Sequence, residues 1–179
     1  VAVLGALSGQ LSQWWNVTIK KNIPAGAGLG GGSSNAATLL MVLNQLESLN
    51  LSIPDMEAIA QEIGSDVPYF LHGGQAKVSG TGQIIHSNAT LIQCHYFVLI
   101  LPNIHCSTAG VYGVLDARGD FDDLDEVTDD DLKKMGHNRL LHSAMSVAPG
   151  LGELYGCVSD VLPADVYMSG SGSTLFVPC

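Results

Sequence analysis

Five of the seven residues from Gly26 to Gly32 are glycine, within the run Pro24-Ala25-Gly26-Ala27-Gly28-Leu29-Gly30-Gly31-Gly32. Glycine gives a backbone access to positive φ and lets a ligand approach closely, yet each one adds chain entropy that folding must overcome. A loop this rich in glycine is therefore expected to serve a ligand. Ser33-Ser34-Asn35 follows with oxygens suited to a helix N-cap, and Ala37, Leu40, Met41, Leu43 and Leu46 then recur at helical spacing. The pattern predicts a helix opening at the end of the loop. Free N–H groups and the positive end of the helix dipole converge at such a junction, which is the construction of an anion site. Two phosphate templates compete for these residues. Gly26-Ala27-Gly28-Leu29-Gly30-Gly31 satisfies G-x-G-x-x-G, but polar Lys20-Lys21-Asn22 and Pro24 precede it where a dinucleotide fold needs a buried parallel strand. The P-loop template fails, because neither Gly-Lys-Ser nor Gly-Lys-Thr occurs in the chain.

Before the loop, Val3, Leu4, Leu7, Leu11 and Trp14 or Trp15 fall near helical spacing, weakened by Gly5 and Gly9, and read as a helix over 1–15. Val17 and Ile19 share one face of an expected strand over 16–19 that Lys20-Lys21-Asn22-Ile23-Pro24 extends and Pro24 closes. After the loop helix, Ser52-Ile53-Pro54-Asp55 is a capping signature that predicts a second helix over about 54–63. Gly64-Ser65-Asp66-Val67-Pro68 is a turn, and 76–78 with 83–85 read as a hairpin across Ser79-Gly80-Thr81-Gly82. The spacing predicts a buried strand over 96–101, helices over 107–115, 138–144 and 151–158, and two strands at 166–168 and 174–177. Those last strands bracket Ser169-Gly170-Ser171-Gly172-Ser173. Helices and strands alternate without regular βαβ spacing, so the fold class is α+β with antiparallel sheets.

The 179 residues suffice for one ordinary domain or two small ones, and 46% hydrophobic against 13% charged residues supply a core rather than disorder. The formal net charge of −10 argues against a nucleic-acid or anionic-membrane binder working by phosphate neutralisation. Eight acids crowd into Asp120–Asp131, and the other seven basic and nine acidic residues net only −2. That stretch lacks the Asp-x-Asp-x-Asp-Gly pattern of a calcium loop and reads as solvated surface. No apolar run approaches the roughly 20 residues of a membrane helix. Four cysteines, too sparse for a disulfide scaffold, and an apolar start without a basic leader point to a reducing cytoplasm. Cys94-His95 and His105-Cys106 suggest zinc, but no CxxC or His-x₃-His spacing supports it.

The run Lys21 to Ala37, with its core Gly-Leu-Gly-Gly-Gly-Ser-Ser-Asn-Ala-Ala, resembles the nucleotide-binding motif of small-molecule kinases typified by galactokinase, homoserine kinase, mevalonate kinase and phosphomevalonate kinase. Within that superfamily it most resembles the 4-diphosphocytidyl-2-C-methyl-D-erythritol kinases. Three further stretches fall in the family's order. The run 64–70 resembles the segment with the catalytic aspartate, Cys106-Ser107-Thr108-Ala109-Gly110-Val111-Tyr112 a segment at the substrate pocket, and 169–173 the glycine-rich third motif. The likeness spans about Asn16 to Phe176.

The resemblance implies a two-lobed α+β kinase fold, with a shortened ribosomal-protein-S5-like nucleotide lobe over 1–92 and a ferredoxin-like substrate lobe over 93–179. It implies ATP and Mg²⁺ as cofactors and phosphorylation of the 2-hydroxyl of a small cytidine diphosphate substrate. Pro24, Ala25, Gly26, Ala27, Gly28, Leu29, Gly30, Gly31, Gly32, Ser33 and Ser34 would then hold ATP, Ser34 would also meet the metal, and Asp66 would be the base. Tyr112 would stack on the cytosine, and Gly170, Ser171 and Gly172 would border the substrate. From the residues alone, Asp66 equally fits a turn former, Ser34 a helix cap, Tyr112 a core residue and 170–173 a plain turn. The family's lysine and Tyr-His pair lie in a segment resembling Pro-Ala-Lys-Ile-Asn, which these 179 residues do not contain. That role is not transferred to Lys20 or Lys21, and a fragment of a longer chain is expected. Another kinase of the superfamily, or a non-catalytic nucleotide-binding fragment, stays open beside the leading reading, as does the oligomeric state.

Overall fold

The capping box at Ser52 shows how directly local chemistry sets the first part of the chain. Ser52 Oγ accepts from Asp55 N while the Asp55 carboxylate accepts from Ser52 N at 2.9 Å, and Pro54 occupies the first turn, so α3 (Ile53–Ile63) starts where its signature stands. The computed structural model describes residues 2–86, 96–119 and 138–179. The expected boundary at Ile92, the Cys94-His95 pair and the acidic stretch 120–131 lie outside the described residues. Two compact units emerge, one of Val1–Asn22 with Gly30–Ala89, the other of Ile23–Leu29 with Thr90–Cys179. No helix among the described residues is long and apolar enough to cross a membrane.

In the first unit, α1 (Ala2–Ala6), α2 (Gly31–Leu46), α3 and α4 (Tyr69–His72) pack around Val3, Leu7, Ala37, Leu40, Leu43, Met56, Ala60 and Val67. Ala37, Leu40 and Leu43 form one face of α2, as the period requires. Asn44 joins α2 to the next segment, its amide bonding both the N–H and the carbonyl of Leu51. The hairpin of β1 (Lys77–Ser79) and β2 (Ile84–His86) pairs antiparallel with Val78 opposite Ile85. Two expectations are corrected here. The helix read over 1–15 ends at Ala6 and turns through Gly9 at φ 86°, a left-handed conformation suited to a residue without Cβ. The segment 16–19 forms no strand: Val17 and Ile19 are exposed, and no described strand supplies ladder hydrogen bonds, without which alternation alone cannot make a sheet.

Glu47 at the end of α2 gathers three donors from that irregular segment: Ser12 N at 2.9 Å, Ser12 Oγ at 2.5 Å and Trp15 Nε1 at 2.6 Å. The Ser12 hydrogen bonds hold the Glu47 carboxyl below its ordinary value of 4.5. A depressed carboxyl stabilises the fold above its unfolded value and loses that contribution as pH falls through the lowered one. Acidification below pH 4.5, or Glu47→Gln at neutral pH, is therefore expected to red-shift the Trp15 emission. A Trp14→Phe background isolates that signal, since Trp14 is already fully exposed. An unchanged spectrum would show that the carboxylate does not hold the segment.

In the second unit, β3 (Phe97–Ile100), β5 (Leu175–Pro178) and β4 (Tyr167–Met168) form an antiparallel sheet in the order β3-β5-β4, with Val98 opposite Val177 and Met168 opposite Leu175. Leu175, Val177 and Met168 meet Val111, Ala144 and Leu151 from α5 (Thr108–Arg118), α6 (Leu141–Val147) and α7 (Pro149–Val161). Ser107 caps α5 by accepting from Gly110 N at 3.2 Å. The expectation of a buried strand at 96–101 is corrected. β3 has one described neighbour, β5, and Phe97, Val98 and Leu99 are each about half exposed, because apolar content does not distinguish a central strand from an edge.

Candidate functional site

The first half of the glycine loop belongs to the second unit, where it lies against the turn between β4 and β5. Gly28 has φ 73°, and a Cβ built on it would sit 2.2 Å from the Ser169 carbonyl oxygen and 2.9 Å from that of Gly172. Only a hydrogen fits there. Ser169 Oγ donates to Gly28 O at 2.8 Å across 141 positions of sequence, and Thr174 N donates to Ala27 O at 3.3 Å. The turn is closed by Ser169 N to Thr174 O and Gly172 N to Ser169 O, both 2.9 Å. Ser171 and Ser173 are buried; Ser171 shares a hydrogen bond with Thr108 at 2.9 Å, and Ser173 donates to Ile104 O at 2.6 Å. Gly170 and Gly172 both have positive φ, and a Cβ on Gly172 would press on Met168 Sδ at 3.0 Å. Pro24, Ala25 and Gly26 are exposed beside this contact while Ala27 is buried in it. Tyr112 on α5 is half exposed, so the core alternative for its ring does not hold.

The second half of the loop opens α2 in the first unit. Gly30 is the N-cap at φ 62°, and a Cβ on it would lie 2.6 Å from the Phe70 ring. This corrects the expected cap at 33–35, because the helix begins at Gly31 and Ser33 and Ser34 lie inside its first turn. The first backbone bond of the turn runs from Ser34 N to Gly30 O at 2.9 Å. A glycine cap offers no side-chain acceptor and the first turn has no acid, so the leading N–H groups and the dipole are left for an external anion. A cleft of about 490 Å³ adjoins this helix start, lined by Ile19, Lys21, Gly32, Ser33, Asn35 and Val67 among others. Its polar residues include Lys21, whose place before the loop suggests positive potential for the phosphates, and Asn35, which sequence reasoning missed as a lining residue. Lys21 stands eleven positions before Gly32 across an irregular loop, and Asn35 read as a cap; only its offset from the loop could have flagged it.

Asp66 lies in the turn after α3, closed by Val67 N to Gly64 O at 3.0 Å. Val67 and Pro68 are buried while Asp66 is exposed, so the turn is anchored on one side and presents the carboxylate on the other. Gly82 of the hairpin turn packs on it closely: a Cβ there would meet Ser65 O at 2.0 Å. Among the described residues the Asp66 carboxylate accepts no hydrogen bond, so it caps nothing.

Residues 2–74 match the GHMP kinases N terminal domain. The 4-diphosphocytidyl-2-C-methyl-D-erythritol kinase of Persephonella marina is 37% identical over 167 residues, covering 89% of this chain and 60% of its own. That of Geobacter metallireducens is 37% identical over 175 residues, covering 96% of this chain and 62% of its own. Residues 2–74 of this chain thus carry a GHMP kinase N-terminal domain. A crystal structure of 4-(cytidine 5'-diphospho)-2C-methyl-D-erythritol kinase superposes with a TM-score of 0.69 at 33% identity, covering 89% of this chain and 60% of that one. The GHMP kinase fold and its α+β class follow. The chain spans about three fifths of the length of the curated relatives it matches.

Proposed function

We propose that this chain is a GHMP kinase that transfers the γ-phosphoryl group of ATP to the 2-hydroxyl of 4-diphosphocytidyl-2-C-methyl-D-erythritol. The observation that carries the reading is the uncapped, acid-free start of α2 behind a glycine loop, an arrangement that suits a triphosphate. Pro24–Leu29 and Gly30–Ser34 hold ATP, through backbone N–H groups at residues other than Pro24, which has none, and Ser34, whose N–H bonds Gly30 O, with Lys21 adding positive charge from the adjoining cleft. Ser34 would supply a protein oxygen to Mg²⁺ carried on the triphosphate, and the metal would neutralise charge on the transferring group. Asp66 orients the hydroxyl and accepts its proton as the oxygen forms its bond to phosphorus and ADP leaves. Tyr112 offers a half-exposed ring for the cytosine face, and Gly170–Gly172 border the substrate. The names of the relatives support this choice of alcohol over homoserine or mevalonate. The thiols of Cys106 and Cys157 suit a reducing, cytoplasmic setting.

The chain is incubated with ATP, Mg²⁺ and each of the three alcohols, and ADP release and ³¹P spectra are followed. A phosphorylated cytidyl product is expected with the first alcohol alone. Phosphorylation of homoserine or mevalonate instead would overturn the substrate, and ATP binding without turnover on any alcohol would overturn the catalytic reading.

A further inference from the structure

We infer that Asn138 is a positioning residue that sets the Ser169–Ser173 turn and, through it, the seat of Gly28; its consequence for ATP rests on the nucleotide role proposed above. Asn138 Nδ2 donates to Met168 O at 2.7 Å and to Gly170 O at 2.8 Å, while its Oδ1 accepts from Leu140 N at 2.9 Å. An amide has two donors and an acceptor, and this one commits all three. The oxygen fixes the side chain to the lead-in of α6, where Leu141 N also bonds Asn138 O at 3.1 Å. The nitrogen clamps the carbonyls on either side of Ser169. Ser169 is in turn the residue that holds Gly28: its Oγ donates to the Gly28 carbonyl at 2.8 Å, and its own carbonyl occupies the space that a Gly28 Cβ would need. One side chain thus reaches the glycine loop through a single intervening residue. No other side chain described here bonds both flanks of Ser169. Aspartate has the same shape, but when ionised it is acceptor-only and sets an oxygen against two carbonyl oxygens, so the clamp becomes repulsive.

Asn138→Asp and Asn138→Ala are compared with the wild-type chain by site-resolved amide hydrogen exchange and ATP titration. In both variants the amides of Gly172 and Thr174, which bond Ser169 O and Ala27 O, are expected to exchange at least tenfold faster. Amides within α7 should stay within twofold, and the Kd for ATP should rise about tenfold. Unchanged exchange at Gly172 and Thr174, or an equal rise throughout α7, would overturn the positioning role. Faster exchange with unaltered ATP affinity would overturn its link to the nucleotide loop. A wild-type chain that binds no ATP would sink the nucleotide reading instead, and the exchange data would still decide the clamp. Should the aspartate variant fail to fold, the alanine variant carries the same test.

Discussion

Gly28→Ala is expected to destabilise the second unit by about 2–5 kcal/mol and to weaken ATP binding by at least about tenfold. Two penalties combine. An L-residue at φ 73° pays about 1–2 kcal/mol for its Cβ against its own backbone. The same Cβ would stand 2.2 Å and 2.9 Å from two carbonyl oxygens, and because these are backbone atoms of a hydrogen-bonded turn, they cannot rotate aside. Overpacking of this kind costs about 1–3 kcal/mol more. Gly32→Ala is the informative counterpart. It lies in the first turn of α2 at no positive φ and with nothing within 4 Å of a built Cβ, so alanine should stabilise the helix by up to about 1 kcal/mol. Any loss of ATP affinity at Gly32 then reports a close phosphate, whereas loss at Gly28 reports a displaced loop. Thermal unfolding with calorimetric ATP titration separates the two, and a Gly28→Ala chain with wild-type Tm and affinity would refute the close contact.

That contrast marks where sequence reasoning ended. Five glycines signalled a ligand loop, but composition ranks them equally, and only the fold shows that Gly28 and Gly30 are demanded by Ser169 and Phe70. The cap was misassigned for a related reason: propensity favours serine over glycine there, yet the Phe70 ring leaves no room for any Cβ at the residue where the helix must start. Elements with local signals came through nearly to the residue. The α3 capping box and the α5 cap at Ser107 depend on bonds within four positions, and the β1–β2 hairpin closes over a short turn. What depended on distant partners did not. The expected strand at 16–19 had alternation but no described partner, and Asn138 showed no motif at all, since its acceptors lie 30 and 32 positions away. Turn 169–173 could be matched to a family motif, but its contact with Gly28 spans 141 positions and no spacing rule reaches that far.

Asp66→Asn is expected to lower kcat for the cytidyl alcohol by at least about 10²-fold, the lower range for losing a positioned proton acceptor, while leaving ATP affinity within twofold. The prediction is sharp because the fold leaves this carboxylate so little else to do. It is exposed, accepts no hydrogen bond among the described residues, and lies in a turn already fixed by the buried Val67 and Pro68 and by the Ser65–Gly82 contact. Asparagine keeps the volume and the turn preference and removes only the charge and the proton-accepting oxygen. Stability should therefore move by no more than about 0.5 kcal/mol, as for surface substitutions away from caps, cores and buried pairs. Initial rates at saturating ATP, taken beside Tm and the Kd for ATP, separate the roles still open for Asp66. A drop in kcat alone assigns it to the reacting hydroxyl. A parallel fall in Tm and rate would make it a turn former after all, and near-normal turnover would remove it from the chemistry and shift the search for a proton acceptor elsewhere.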